Sequence, residues 1–320
     1  MPTSLLAWDT TSLLWRIGNS TVAPPPPPPD TSFVLRTTKP DATNTGVGII
    51  AAAPTAVVGS QTITVAGTVL ENKIITGQVI IKAANVTIRN CIIKGNSSLA
   101  IGTWLVLVVD AAATGARIEY CELESSGFPQ LALNGIGSKN YTSYRNHVHD
   151  VVDGFSIYNT SAGGADAFVQ GCYMHANLWI NPDPTGDHAD GTHDDGLQVQ
   201  GSTNIQVVGN TIMGVESPIS TAGYDGWATS AIMINHNVGD PTAMSIEDNW
   251  LGGGGYSING LGSYTGMNIS IVRNKFDTAS AKYGPIGYKI GTGNTWNVPT
   301  SGADANVDLN GNSISVYTVA

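Results

Sequence analysis

Val86-Thr-Ile-Arg-Asn-Cys91, Ala116-Arg-Ile-Glu-Tyr-Cys121, Tyr141-Thr-Ser-Tyr-Arg-Asn146, Ala167-Phe-Val-Gln-Gly-Cys172, Ile205-Gln-Val-Val-Gly-Asn210, Met244-Ser-Ile-Glu-Asp-Asn249, Ile269-Ser-Ile-Val-Arg-Asn274 and, more loosely, Val307-Asp-Leu-Asn-Gly-Asn312 are one phrase written eight times. Each is an alternating strand that ends in a small polar or thiol residue and resumes as strand. The closing residues are 30, 25, 26, 38, 39, 25 and 38 positions apart. A period near 25 with period-2 alternation inside each unit is the pattern of an all-β parallel solenoid, whose inward side chains bury against the coils above and below. Helical repeats of similar length would carry a 3.6-residue spacing, which is absent here.

Composition agrees. Of 320 residues 38 are Gly and only 12% are charged, and a solenoid domain can grow to this length because each coil contacts only its neighbours. The net charge of −10 argues against nucleic acid as a partner, which would require a basic stripe. No run of 18 apolar residues is present, so no membrane insertion is expected.

The chain divides into an N-terminal attachment segment (1–23), a Pro-rich linker (24–35), an entry or cap segment (36–60) and the solenoid (61–320). The head carries apolar bursts, Leu5-Leu6-Ala7-Trp8 and Leu13-Leu14-Trp15, which a solvated tail would not expose. Asp9 interrupts the first burst and no basic region precedes it, which argues against a secretory signal. Pro24 to Pro29 form a stiff polyproline II spacer.

Cys91, Cys121 and Cys172 share the column that Asn fills in other coils. Equivalent residues of adjacent coils lie about 4.8 Å apart with parallel side chains, too far for an unstrained disulfide. Buried free thiols are expected.

Counting from the column to the first inward residue of the next strand gives 10 (Cys121 to Leu131), 9 (Asn146 to Phe155), 25 (Cys172 to Leu197) and 22 (Asn210 to Ile232). Two consecutive coils therefore carry insertions at one corner. Side by side these form a wall, and a wall on a solenoid face makes a groove for an extended polymer. The first insertion, Asn181 to Gly196, holds five Asp and two His with no cation, and no Lys or Arg occurs from Asn146 through Val272, which contains 13 Asp and Glu. Turn chemistry accounts for its glycines and prolines but not for seven ionisable groups.

Asp153-Gly154 precedes Phe155 and Asp195-Gly196 precedes Leu197, so the two aspartates should stack on adjacent coils. At that spacing one carboxylate raises the pKa of the other, giving the acid and carboxylate of glycoside hydrolysis. Asp153, Asp195, Asp194, His193 and His149 are the candidate catalytic residues. His175, which shares a column with His149, joins Gln198, Gln200, Asn235, Tyr224 and Trp227 as candidate sugar contacts, the last two as stacking platforms. Asp187 and Asp190 are candidate Ca²⁺ ligands. A His/Asp zinc site is an alternative, although the His spacing matches no standard motif. The cation-free groove favours a neutral sugar over an anionic one and disfavours a lyase with an Arg or Lys base.

The runs Tyr173-Met-His175, His193-Asp-Asp-Gly-Leu-Gln-Val-Gln200 through Asn210-Thr-Ile, Ile246-Glu-Asp-Asn-Trp250 to Tyr256, and Lys282-Tyr-Gly-Pro285 resemble the right-handed parallel β-helix proteins of the pectate-lyase-like superfamily, in versions found in actinobacteria and their phages. The resemblance covers roughly residues 45 to 320. It implies a right-handed parallel β-helix that binds or cleaves a polysaccharide. Leu14-Trp-Arg-Ile-Gly-Asn-Ser-Thr-Val-Ala-Pro24 resembles segments of phage tail proteins, which implies a minor tail protein in a virion tail. Its partners would be a host surface glycan and other tail proteins, with subunits packed as a homotrimer. The chain departs from pectate lyases in lacking their basic catalytic residue at the groove. A secreted polysaccharide hydrolase or lyase, extracellular rather than virion-borne, is the alternative.

Overall fold

The computed structural model describes residues 33–109, 111–125, 127–158, 166–214, 216–218 (backbone), 227–262 and 266–319. The head at 1–23, most of the proline linker and Tyr224 lie outside the described residues.

The protein is all-β: strands pair in parallel into long sheets, and no α-helix occurs among the described residues. Each rung contributes to three ladders. The first contains nine strands, from Val69–Glu71 through Tyr141–Tyr144 and Ser202–Val208 to Thr295–Asn297. The second runs from the first half of Lys73–Ile81 through His147–His149, Tyr173–His175 and Trp250–Gly253 to Val307–Asp308. The third runs from the second half of Lys73–Ile81 through Phe155–Ile157, Asp195–Val199, Ser230–Ile234 and Tyr256–Gly260 to Val316–Val319. Alternate residues point inward, so Ile88, Ile118, Ser143, Val169, Val207, Ile246 and Ile271 follow one another through a continuous buried core. The first strand, Ala56–Ile63, pairs in parallel with Lys73–Ile81 and straddles the expected start of the solenoid at residue 61.

The column read from the sequence is an interior hydrogen-bond ladder. Asn249 Nδ2 donates to Asn274 Oδ1 (2.9 Å), and the same oxygen accepts the Asn249 N–H (3.0 Å). Asn210 repeats both bonds onto Asn249, and the N–H groups of Cys121 and Cys172 donate to Asn146 and Asn210 (2.8 Å each). All three cysteines are buried and free. The last member differs from expectation. Asn274 donates to Asn306, which is fully buried, whereas Asn312 is exposed and closes a turn onto the Asp308 carboxylate.

Immediately before the column stands a residue with positive φ: Asn90, Tyr120, Arg145, Gly171, Gly209, Asp248 and Arg273, at 47° to 64°. At each of these seven corners a left-handed residue turns the chain sharply from the first ladder into the second. An entry strap, from Phe33 to Gly48, runs along the outside of this corner. Gly48 N–H donates to Asn90 Oδ1, Arg145 reaches Asn44 O and lies 4.0 Å from the Phe33 ring centre, and Arg36 pairs with Glu247 (2.8 Å) and Asp248 (2.6 Å). The strap passes so close to Gly209 that a Cβ there would stand 2.8 Å from the Arg36 backbone nitrogen.

The two insertions stand side by side, as expected. Asn177–Trp179 pairs in parallel with Glu216–Pro218, and Leu178 and Ile180 bury against Ala132 and Val152 in a satellite core. One alignment shifts: Phe155 pairs with Ile136, while Leu131 ends a short 3₁₀ turn, so the residue equivalent to Asp153 is Asn134.

Candidate functional site

Three groups of polar side chains lie on and beside the insertion wall. The first is the aspartate pair. Asp153 and Asp195 occupy adjacent rungs in a third-ladder column that runs Asn134, Asp153, Asp195, Ser230. Asn134 Oδ1 accepts the Asp153 N–H (2.9 Å), Asp153 Oδ1 accepts the Asp195 N–H (2.9 Å), and Asp195 Oδ1 accepts the Ser230 hydroxyl (2.5 Å). Burial lifts the Asp153 carboxyl to about 7. Asp195 is driven well above the usual carboxylate range, first by burial and then by the charge of Asp153, against opposing hydrogen bonds from Ser230 and Gln198. One proton is thus retained by the pair near neutrality. Yet Asp195 is 1% exposed and both its oxygens are engaged, Oδ2 by Gln198 Nε2 (3.3 Å). Its geometry is that of a buried joint in a rung-to-rung ladder, comparable to the Asn column.

The outward face of the same ladder carries the predicted amides. Gln200 Nε2 donates to Gln198 Oε1, and Asn235, whose N–H donates to Val199 O, stands beside Gln200 on the next rung. Gln198, Met233 and Asn259 continue this outward face from rung to rung.

The second group lines a cleft of about 400 Å³ formed by both insertions and the two following rungs. Asp190, His193, Asp194 and Trp227, all predicted, line it together with Trp179, Tyr256, Asn259, Lys282 and Tyr283. Tyr256 and Tyr283 have ring centres 5.7 Å apart, and Tyr256 stacks on Tyr317 at 5.8 Å with 15° between planes. Gly287 lets the Tyr256 ring lie flat across the next rung, where a Cβ would meet three ring atoms at 3.1 Å. Lys282 corrects the expectation of a cation-free groove: the sequence lacks cations from Asn146 through Val272, but the chain returns to this cleft with Lys282. His193 Nε2 donates to Asp190 Oδ1 (3.2 Å), and its ring stacks on His188 (3.7 Å between centres).

The third group corrects the expectation of a single groove holding His149, His175 and both aspartates. His149 and His175 do not line the cleft; they project from the second ladder and cluster with His147, Tyr173 and Glu122. His147 Nε2 lies 2.9 Å from His175 Nε2, His149 Nδ1 lies 2.7 Å from Asp150 Oδ2, and His149 Nε2 lies 3.4 Å from Glu122 Oε1. Burial and then the neighbouring His149 pull His147 down to about 4 and His175 also down. Burial opposes charging of His149 too, but Glu122 and Asp150 outweigh it and raise its pKa.

Of the acidic-loop pair named for calcium, Asp187 is exposed and Asp190 is bonded to His193. Among the described residues the one cluster with ligand spacing is Glu122, His147 and His149. Asp183 is consumed in holding its own loop, accepting from Thr185 and from the His188 N–H. Register alone would have found Tyr256, which follows Ser230 in the third ladder; Lys282 and Tyr283 carried no repeat signal.

Neither a family model, a curated protein nor a solved structure matches the chain.

Proposed function

We propose that the chain is a right-handed parallel β-helix whose cleft binds an extended neutral polysaccharide of a host cell surface, and that it serves as a minor tail protein of a phage infecting actinobacteria. The observation that carries the binding reading is the cleft itself. Trp227, Tyr256 and Tyr283 offer apolar faces for sugar rings, with Asn259 and Asp190 beside them as hydroxyl partners. The parallel ladders and the left-handed corner residues support a coiled solenoid. The tail assignment rests on residues 1–23 and the proline spacer, as sequence.

A second reading, a secreted hydrolase or lyase, draws on the proton shared by Asp153 and Asp195 and on Lys282 at the cleft. Binding is favoured because the carboxyl oxygens of Asp195 are spent on Ser230 and Gln198. The deciding experiment incubates the protein with envelope polysaccharides of actinobacteria and follows both retention and chain length. Retention without shortening supports the binding reading. Shortening that Asp195→Asn abolishes, at unchanged melting temperature, establishes the enzyme instead. No retention of any polysaccharide refutes both.

A further inference from the structure

Outside the cleft, the densest cluster of metal-ligating groups is on the outward face of the second ladder. Glu122, His147 and Tyr173 follow one another in one column, and His149 and His175 pair in the column two residues on. One donor atom from each of Glu122, His147 and His149 lies within 4.8 Å of the others, and His175 Nε2 is 2.9 Å from His147 Nε2. We propose that Glu122, His147, His149 and His175 form a binding site for one divalent transition-metal ion of the zinc class, which ties three successive rungs together.

Three features argue for this. The donor set is three imidazoles and one carboxylate, which suits Zn²⁺, Co²⁺ or Ni²⁺ and not the all-oxygen preference of Ca²⁺. Tetrahedral zinc with bonds of about 2.0–2.1 Å holds its donors about 3.4 Å apart. Two of the six donor separations, 2.9 Å and 3.4 Å, stand on either side of that value, and His175, which lies outside the 4.8 Å group of Glu122, His147 and His149, must rotate to complete the set. The ring of His149 is also oriented for the task. Its Nδ1 sits 2.7 Å from Asp150 Oδ2, the carboxylate–imidazole arrangement that fixes the tautomer of a metal ligand. In the neutral ring with the proton on Nδ1, the Nε2 lone pair and Glu122 Oε1, 3.4 Å apart, can both bind an ion that displaces the proton bridging them. A proton between them serves that pair alone; a metal serves all four donors.

The surroundings are built as walls. Tyr173 stacks on His147 with ring centres 5.2 Å apart and 12° between planes. On another side the strap passes at Gly46, where a Cβ would stand 3.0 Å from that of His147. His149 is 14% exposed and Glu122 29%, so an ion from solvent can reach the cluster.

The test uses the full-length chain without a histidine tag, stripped with chelator and titrated with Zn²⁺ by calorimetry and with Co²⁺ by visible absorption. One ion per chain, a tetrahedral Co²⁺ spectrum and a raised melting temperature are expected. All three should be lost in His149→Ala and in Glu122→Gln/His147→Gln, and kept when the other stacked pair is removed in His188→Ala/His193→Ala. Absence of saturable binding, or binding that survives the first variants or vanishes with the last, overturns the proposal. If the first variants fail to fold, diethyl pyrocarbonate labelling of the wild type decides: Zn²⁺ should shield His147, His149 and His175 but not His188 or His193. Equal labelling with and without metal would overturn it.

Discussion

Replacing Asn249 by alanine removes the middle of the interior ladder. The amide makes four bonds: Nδ2 donates to Val207 O (2.8 Å) and Asn274 Oδ1 (2.9 Å), and Oδ1 accepts the N–H and the Nδ2 of Asn210 (2.9 Å each). Every partner is buried. The Asn210 side chain keeps its bond to Val169 O, but its backbone N–H has one hydrogen and loses its acceptor. A stranded buried donor costs about 1–3 kcal/mol and each of the other three lost bonds about 1 kcal/mol, for a total of about 4–6 kcal/mol. That stands at the upper end of what single substitutions do. The assay is equilibrium guanidinium unfolding followed by far-ultraviolet circular dichroism, comparing Asn249→Ala with Asn297→Ala. Asn297 makes an exposed bond to Ser270 Oγ, and its loss should cost no more than about 0.5 kcal/mol. A large fall in midpoint at constant denaturant slope is expected for Asn249→Ala alone. Equal midpoints for the two variants would refute the ladder as a source of stability.

Three further outcomes are expected. Native protein should react with no thiol reagent and unreduced, denatured protein with three equivalents, because Cys91, Cys121 and Cys172 are buried free thiols; one equivalent would reveal a disulfide. Asp153 and Asp195 hold protons in the folded state at pH values where the unfolded chain, with carboxyls near about 4, has released them, so stability should fall as pH rises from about 4 to about 7. Asp153→Asn keeps an oxygen for the Asp195 N–H and should flatten that slope in pH-dependent thermal melts; an unchanged slope would mean the pair does not titrate together. Deleting residues 1–23 should leave a soluble, folded body that no longer enters phage particles, and a truncated chain that still assembles would restore the secreted-enzyme reading.

The rungs were legible because period-2 alternation and the recurrent Asn or Cys mark the same inward turn. That signal failed at Asn312, where a turn around Asp308 imitates the phrase while Asn306, in a segment with no alternating strand before it, completes the ladder. The corner was not legible as a backbone feature: Tyr120, Arg145 and Arg273 take a conformation usually left to glycine, with Tyr120 packed edge-on to Tyr144, Arg145 over Phe33 of the strap, and Arg273 paired with Glu247, Asp248 and Asp304. In the candidate site, equal offsets before Phe155 and Leu197 placed Asp153 against Asp195, and the paired insertions predicted a wall. Offsets do not report side-chain direction, so the sequence could not separate the aspartate joint from the cleft or from the histidine cluster. Lys282 escaped because it arrives from a later rung, in a loop whose spacing follows no repeat.

The central claim is that sugars stack in the cleft between the insertion wall and Tyr256. The most direct measurement is the affinity of wild type and Trp227→Ala for an oligosaccharide of whichever envelope polysaccharide the protein retains, with Phe168→Ala, in a first-ladder strand, as control. Loss of one stacking platform, worth about 1.4 kcal/mol, should weaken binding by about tenfold in Trp227→Ala while Phe168→Ala binds as wild type. Undiminished affinity in Trp227→Ala, or a loss confined to Phe168→Ala, would place the glycan elsewhere and contradict the account.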